Sequence, residues 1–291
     1  MDRLKQILFK AQSNKKINWL LSKKVLEDAI EEFPNEKQVY LELAELLNSK
    51  KMFAEAIKNY QKALEYDSQN PDIIFKIGTC FLSLDEFALA LDYYNQIEDD
   101  FSELLYNKAF ALSKMDRHDE SIEYVKELIA TNPPNDIPYL FLSELYYSQG
   151  LFKKAIEILT KAERIFGEKA AIFFIRGSAY SQLEKWLQAV INYSKAYKLN
   201  FNYPRFHRNY AIALEKTGSI NRAMDIFNKS IDENNTDFQS YFHLIKLYIS
   251  KQKYDKALEL IERASSFVSD DQRIYLELFK KEISIYRKPE L

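Results

Sequence analysis

The side chains with the widest chemical reach in this 291-residue chain are three histidines and one cysteine. Imidazoles ligate zinc or move protons, and a thiolate attacks electrophilic carbon, but only where partner groups converge on them. His118, His207 and His243 stand far apart, no Cys-x-x-Cys exists, and Cys80 has no second cysteine to pair with. Carboxylates such as Glu31 and Glu32 or Asp99 and Asp100 are sequence neighbours, so they point apart. Five glycines leave no Gly-rich phosphate cradle, no Gly-x-Ser-x-Gly elbow and no calcium loop. One polar cluster stands out, His207 near Arg205, Arg208 and Asn209. With Lys246 these residues suit an acidic segment or a carboxylate, not the making of a nucleophile. No catalytic residue, metal ligand or cofactor is expected.

The elements that carry these residues follow a ruler. Ser22, Ala56, Ala90, Ser121, Ala155, Ala189, Ala223 and Ala257 recur at a spacing of 34 residues, with one gap of 31. A small residue at a fixed period marks a close helix crossing in each unit of a repeat array. Placing it at repeat position 20 divides the chain into units 3–36, 37–70, 71–101, 102–135, 136–169, 170–203, 204–237 and 238–271. Apolar residues at positions 4, 7, 8 and 11 form one helical stripe, and those at 17, 20, 24 and 27 form a second. Glycine and proline, which disrupt helix interiors, collect at the joints. Gly150 and Gly218 fall at position 15, inside a unit, while Pro34, Pro71, Pro133, Pro134, Pro138, Gly167 and Pro204 fall between units. Cys80, at position 10, reads as a small buried core residue.

In this frame the chain resembles the tetratricopeptide repeat family over residues 3 to 271. Unit 37–70 carries the resemblance best, with Tyr40, Leu43, Ala44, Leu47, Phe53, Ala56, Tyr60 and Ala63 at the signature positions. The resemblance implies an all-α, right-handed α-solenoid of about eight helix-turn-helix repeats. Residues 272–291 add a C-terminal capping helix and tail, with Tyr275, Leu278 and Phe279 at positions 4, 7 and 8. Departures are Lys108 and Arg176 at position 7, His207 at position 4, and a third unit three residues short. The short unit is expected to have a tighter exit turn around Asp99 and Asp100.

The family likeness also implies a concave groove lined by first helices, which holds an extended or helical peptide. Position 5 reads Ile7, Leu41, Phe75, Tyr106, Leu140, Phe174, Arg208 and Phe242, followed by Leu276 of the cap. Candidate groove residues are Phe75, Tyr106, Asn107, Phe110, Leu140, Phe141 and Phe174, then Arg205, Arg208, Asn209, Phe242 and Lys246. Aromatics give contact area at small entropic cost and amides pair with a peptide backbone. Packing against the next repeat is an equal alternative for each position-5 side chain. The expected function is a non-catalytic protein- or peptide-binding scaffold. The alternatives are a regulatory or assembly subunit docking through its convex face on an enzyme or envelope machine, and helical-repeat RNA binding. The carboxylate-clamp pattern of the family's chaperone-tail binders is not matched in any three consecutive units.

A formal net charge of −2 argues against wrapping nucleic acid. No apolar run approaches the roughly 18 residues of a membrane helix, and the first residues do not read as a secretory signal, so a cytoplasmic protein is expected. The partner is a protein or peptide of unknown identity.

Overall fold

A computed structural model describes residues 3–287; Pro289 and the rest of the expected tail lie outside the described residues. The described residues form seventeen helices and no strand. The chain divides into two compact units, Met1–Leu145 and Tyr146–Leu291, where repeat register alone suggests a single array. The first unit contains four helix pairs: α1 (Arg3–Lys15) with α2 (Trp19–Glu32), α3 (Lys37–Ser49) with α4 (Phe53–Glu65), α5 (Pro71–Ser83) with α6 (Phe87–Tyr94), and α7 (Ser102–Lys114) with α8 (His118–Ala130). Helix α9 (Ile137–Ser148) starts in the first unit and ends in the second. The second holds α10 (Phe152–Phe166), α11 (Ala170–Gln182), α12 (Trp186–Lys198), α13 (Phe206–Lys216), α14 (Ile220–Glu233), α15 (Phe238–Ser250), α16 (Tyr254–Ser265) and α17 (Asp270–Tyr286). Successive helices pack in chain order from α1 to α8 in the first unit and from α10 to α17 in the second, which is the helix-turn-helix repeat architecture.

One backbone device closes the turn inside seven of the repeats. Position 15 is left-handed every time, at Lys51, Asp85, Asp116, Gly150, Glu184, Gly218 and Gln252. The next N–H then reaches back to the carbonyl of position 11, as from Met52 to Leu47 (3.0 Å) and from Lys253 to Tyr248 (2.8 Å). This is a Schellman closure, and it satisfies carbonyls that the helix end would otherwise orphan. Only two of the seven residues are glycine.

The small-residue columns are set by what lies opposite. A Cβ on Gly78 would stand 2.5 Å from Cε1 of Tyr94, and one on Gly177 would stand 2.9 Å from Cδ1 of Tyr193. Both tyrosines occupy position 24 and are fully buried. The serines at position 20 add a polar link, since Ser22 Oγ donates to the Ala11 carbonyl (2.8 Å) and Ser121 Oγ to that of Ala109 (2.7 Å).

The two position-7 cations are buried and paired. Lys108 Nζ lies 2.9 Å from Asp100 Oδ1, and Arg176 bonds Asn192 Oδ1 (2.7 Å) and Glu163 Oε2 (2.6 Å). Buried charge is tolerated when its hydrogen-bonding capacity is met. The short third unit differs from expectation. Its missing residues come off the second helix, because α6 stops at Tyr94 after only eight residues, and residues 95–101 then carry the chain onward with Asp100 aimed at Lys108.

The cap also differs. Helix α17 starts at Asp270 with a capping box between Ser269 and Gln272, and it buries Leu276 and Ile283 with Phe279 half-buried. Tyr275 and Leu278 stay exposed. A terminal helix has no second helix of its own to receive positions 4, 7 and 8. It turns instead to the face that meets Phe242, whose ring lies 5.3 Å from Phe279 and 5.7 Å from Tyr275.

Candidate protein-binding face

All eight position-5 side chains of the repeats, Ile7 to Phe242, are half-buried, whereas Leu276 of the cap is fully buried. Apart from Arg208, these half-buried side chains leave apolar area on the first-helix face within each unit. In the first unit Phe75 projects from α5 against Tyr94 (5.7 Å between centroids) and Phe101 (5.1 Å). Tyr106 of α7 meets Phe141 of α9 at 5.6 Å. Asn107 Nδ2 donates to the Tyr94 hydroxyl (3.2 Å), which also pairs with Thr79 Oγ1 at 3.3 Å, so that amide is engaged in holding the crossing. Phe110 takes the edge of Phe87 (6.4 Å) and the Lys114 ammonium (5.2 Å). Leu140 and Phe141 on α9 are half-buried, about one turn from Glu144.

In the second unit Phe174 is the hub of an aromatic cluster with Phe201 (5.1 Å), Tyr203 (5.3 Å), Phe206 (5.9 Å) and Tyr193 (6.2 Å). Arg208 is held by Asp237 at 2.6 Å. Arg205 is exposed at the start of α13 in a left-handed conformation, φ 70°, and so stands outside the first-helix stripe. Phe242 packs on the cap. Asn209 is half-buried and Lys246 is exposed; neither side chain has a hydrogen bond or ion pair among the described residues, which leaves both open to a ligand.

The histidines are dispersed. His207 Nδ1 lies 2.7 Å from Glu233 Oε2, His243 Nδ1 lies 2.7 Å from Glu215 Oε2, and His118 Nε2 is 3.7 Å from Asp116. Among the described residues no group of three or more His, Cys, Asp or Glu is placed to hold a metal ion. His207 lines an open cleft of about 430 Å³ with Tyr197, Phe201, Lys229 and Glu233, in which Lys229 bonds the Tyr197 hydroxyl. These residues occupy unrelated repeat positions in consecutive units, so no column of the sequence announces the cleft.

Burial governs the titration of this face. It pushes the Cys80 thiol up to about 11, which keeps the buried sulfur protonated and unreactive at neutral pH. The phenols of Tyr94 and Tyr193 are raised for the same reason. Tyr106 is raised by burial and, secondarily, by the Glu144 carboxylate. Glu144 retains surface access, yet the protein atoms crowding its carboxyl raise it above the ordinary 4.5. On the first unit's face Lys76 is paired with Glu45 and Asp72 at 2.8 Å each.

Family models described as TPR repeat and tetratricopeptide repeat match residues 44–84 and residues 102–135 and 138–167, respectively. The chain is similar to a TPR repeat-containing protein of Methanocaldococcus jannaschii, with 23% identity over 73% of this chain and 41% of that protein. It is also similar to Hsp70-Hsp90 organizing protein 3 of Arabidopsis thaliana, with 24% identity over 72% of this chain and 39% of that one. It thus spans about two fifths of the length of these curated relatives. The C-terminal part of a TPR repeat-containing protein from Cytophaga hutchinsonii superposes with a TM-score of 0.67 at 17% identity, covering 80% of this chain and 98% of that one, a likeness of fold.

Proposed function

The chain belongs to the tetratricopeptide repeat family, and from that premise we propose that it is a non-catalytic scaffold that captures a protein or peptide segment on the first-helix face. The observation that carries this reading is the half-buried position-5 side chain of every repeat, joined in the second unit by the polar side chains of Asn209 and Lys246. Apolar area beside unsatisfied amide and ammonium groups suits a peptide with an apolar anchor and an acidic or carbonyl-rich stretch. In the second unit Asn209 and Lys246 are the polar contacts of its first-helix face; in the first unit Phe110 and Phe141 contribute apolar area to its own. The likeness to an organizing protein of Hsp70 and Hsp90 supports assembly work in general. It does not extend to chaperone tails, since Phe75 and Phe174 stand where a carboxylate clamp places lysine.

The ring of Phe174 is tied into its own cluster, so its removal would confuse folding with binding. The cleaner test is a crosslinking capture from lysate, identified by mass spectrometry, with Asn209→Ala combined with Lys246→Glu. Capture is expected to fall while the far-UV spectrum and melting stay those of the parent. Unchanged capture would overturn the first-helix reading. A second reading, docking through second helices, is favoured by one observation: Leu187 and Ile191, one turn apart on α12, are both exposed. Loss of capture in Ile191→Asp, with Asn209→Ala/Lys246→Glu unaffected, would transfer the function to that surface.

A further inference from the structure

The turn between α1 and α2 ends in Ile17, which at 85% exposure is the most open large apolar side chain among the described residues. Leu20 and Leu21 are exposed beside it, and Trp19 lies between them half-buried. Lysines surround this apex. Lys15 and Lys16 precede it, Lys24 follows one turn beyond Leu20, and the neighbouring turn of the second repeat adds Lys50 and Lys51. The two turns are in contact, because the Lys50 ammonium lies 5.8 Å from the centroid of Trp19. From Arg3 to Lys24 the sequence holds seven Lys or Arg and no Asp or Glu. Two of the seven are neutralised, Arg3 by Glu32 and Lys23 by Glu55 and Glu27. Lys15, Lys16, Lys24 and Lys51 form no ion pair with a described residue; Lys16, Lys24 and Lys51 are exposed and Lys15 is half-buried.

A net charge of −2 conceals this segregation. Basic groups alone would serve any polyanion, but three exposed aliphatic side chains narrow the choice. Nucleic acid would engage the lysines and leave Ile17, Leu20 and Leu21 in water. An acidic protein would have to bring a pocket to a convex turn. A bilayer offers both partners at once: anionic headgroups for the lysines, and an acyl boundary for the aliphatic apex, with indole at the interface. We propose that the paired turns of the first two repeats dock this protein on an anionic lipid surface, with Ile17 and the two leucines entering the headgroup region. No helix among the described residues is long and apolar enough to cross a membrane. This surface lies outside the first-helix face, and the proposal stands or falls independently of the capture function.

The test is co-sedimentation of the full chain with vesicles of phosphatidylcholine, with and without phosphatidylserine, over a range of salt. Binding is expected only with phosphatidylserine and is expected to weaken as salt rises. Each charge removed near the surface should weaken partition about fivefold, so Lys15→Glu, Lys16→Glu and Lys51→Glu together should abolish it. Ile17→Ser should weaken binding at every salt concentration without changing its salt dependence. These substitutions lie in exposed turns, and circular dichroism should show the parent helicity. Equal sedimentation with both vesicles, no sedimentation with either, or an Ile17→Ser variant that binds like the parent would each overturn the proposal. So would tighter binding to a single-stranded oligonucleotide that Ile17→Ser leaves unchanged, which would assign the lysines to nucleic acid.

Discussion

At the residue scale, the instructive positions are those where the repeat pattern is broken. Lys108 stands in a column that is apolar in most units, and its ammonium is sheltered against Asp100 and the ring of Tyr124, 5.4 Å from the centroid. Removing the carboxylate leaves the cation buried without its partner, so Asp100→Ala should lower the urea-unfolding free energy by about 1–3 kcal/mol. Lys108→Leu removes both the charge and its desolvation, and should unfold within about 1 kcal/mol of the parent. Equal costs for the two would mean that packing, not pairing, sets the site. Glu144 gives a pH signature. Its folded-state carboxyl is raised, so the folded chain holds that proton more tightly than the unfolded chain does. Ionisation therefore subtracts stability as pH rises from the ordinary carboxylate value through the raised one. Glu144→Gln should raise the unfolding midpoint at neutral pH and leave it unchanged in acid, below both values.

At the element scale, the turn inside each repeat is the recurrent device. Seven turns need a left-handed residue, and five of them use a side chain that disfavours it, among them Glu184 and Gln252. Gln252→Gly should stabilise the second unit by about 0.5–1 kcal/mol, since relief of the left-handed strain exceeds the added chain entropy. Gly218→Ala should do the opposite, costing about 1 kcal/mol. Nothing lies within 4 Å of a Cβ built on Gly218, so the change reports backbone conformation alone. Melting curves of the two variants that move in the same direction would contradict this account of the turn.

At the scale of the whole molecule, a repeat contacts only its neighbours, and its stability comes from those interfaces. The last repeat depends on α17, whose Leu276 and Ile283 are buried and whose Phe279 and Tyr275 cover Phe242. Deleting residues 270–291 exposes that apolar surface. Burial of such side chains contributes about 1.5–3 kcal/mol each, so the loss is several-fold larger than that of a surface change. Hydrogen exchange should show lost protection concentrated in α15 and α16, with the first unit, Met1–Leu145, retaining its own. Loss spread evenly through both units would mean that they unfold as one.

The residues alone determined the helix pairs, their register and the small crossing positions, because a 34-residue period and a 3.6-residue stripe are local patterns that every unit repeats. Tertiary structure decided what the columns cannot encode. Position 5 could belong to core or ligand, and only the placement of Phe101, Phe201 and Phe279 revealed that each ring is half given to its neighbour. The rotation of α17, the early end of α6 and the pairing of Lys108 with Asp100 likewise depend on which surfaces are left without a partner. The lysines around Ile17 were legible as residues but averaged away in a net charge. Their significance lies in a turn that brings charge and exposed aliphatic groups to one apex, since docking depends on where groups sit in space and composition counts only how many there are.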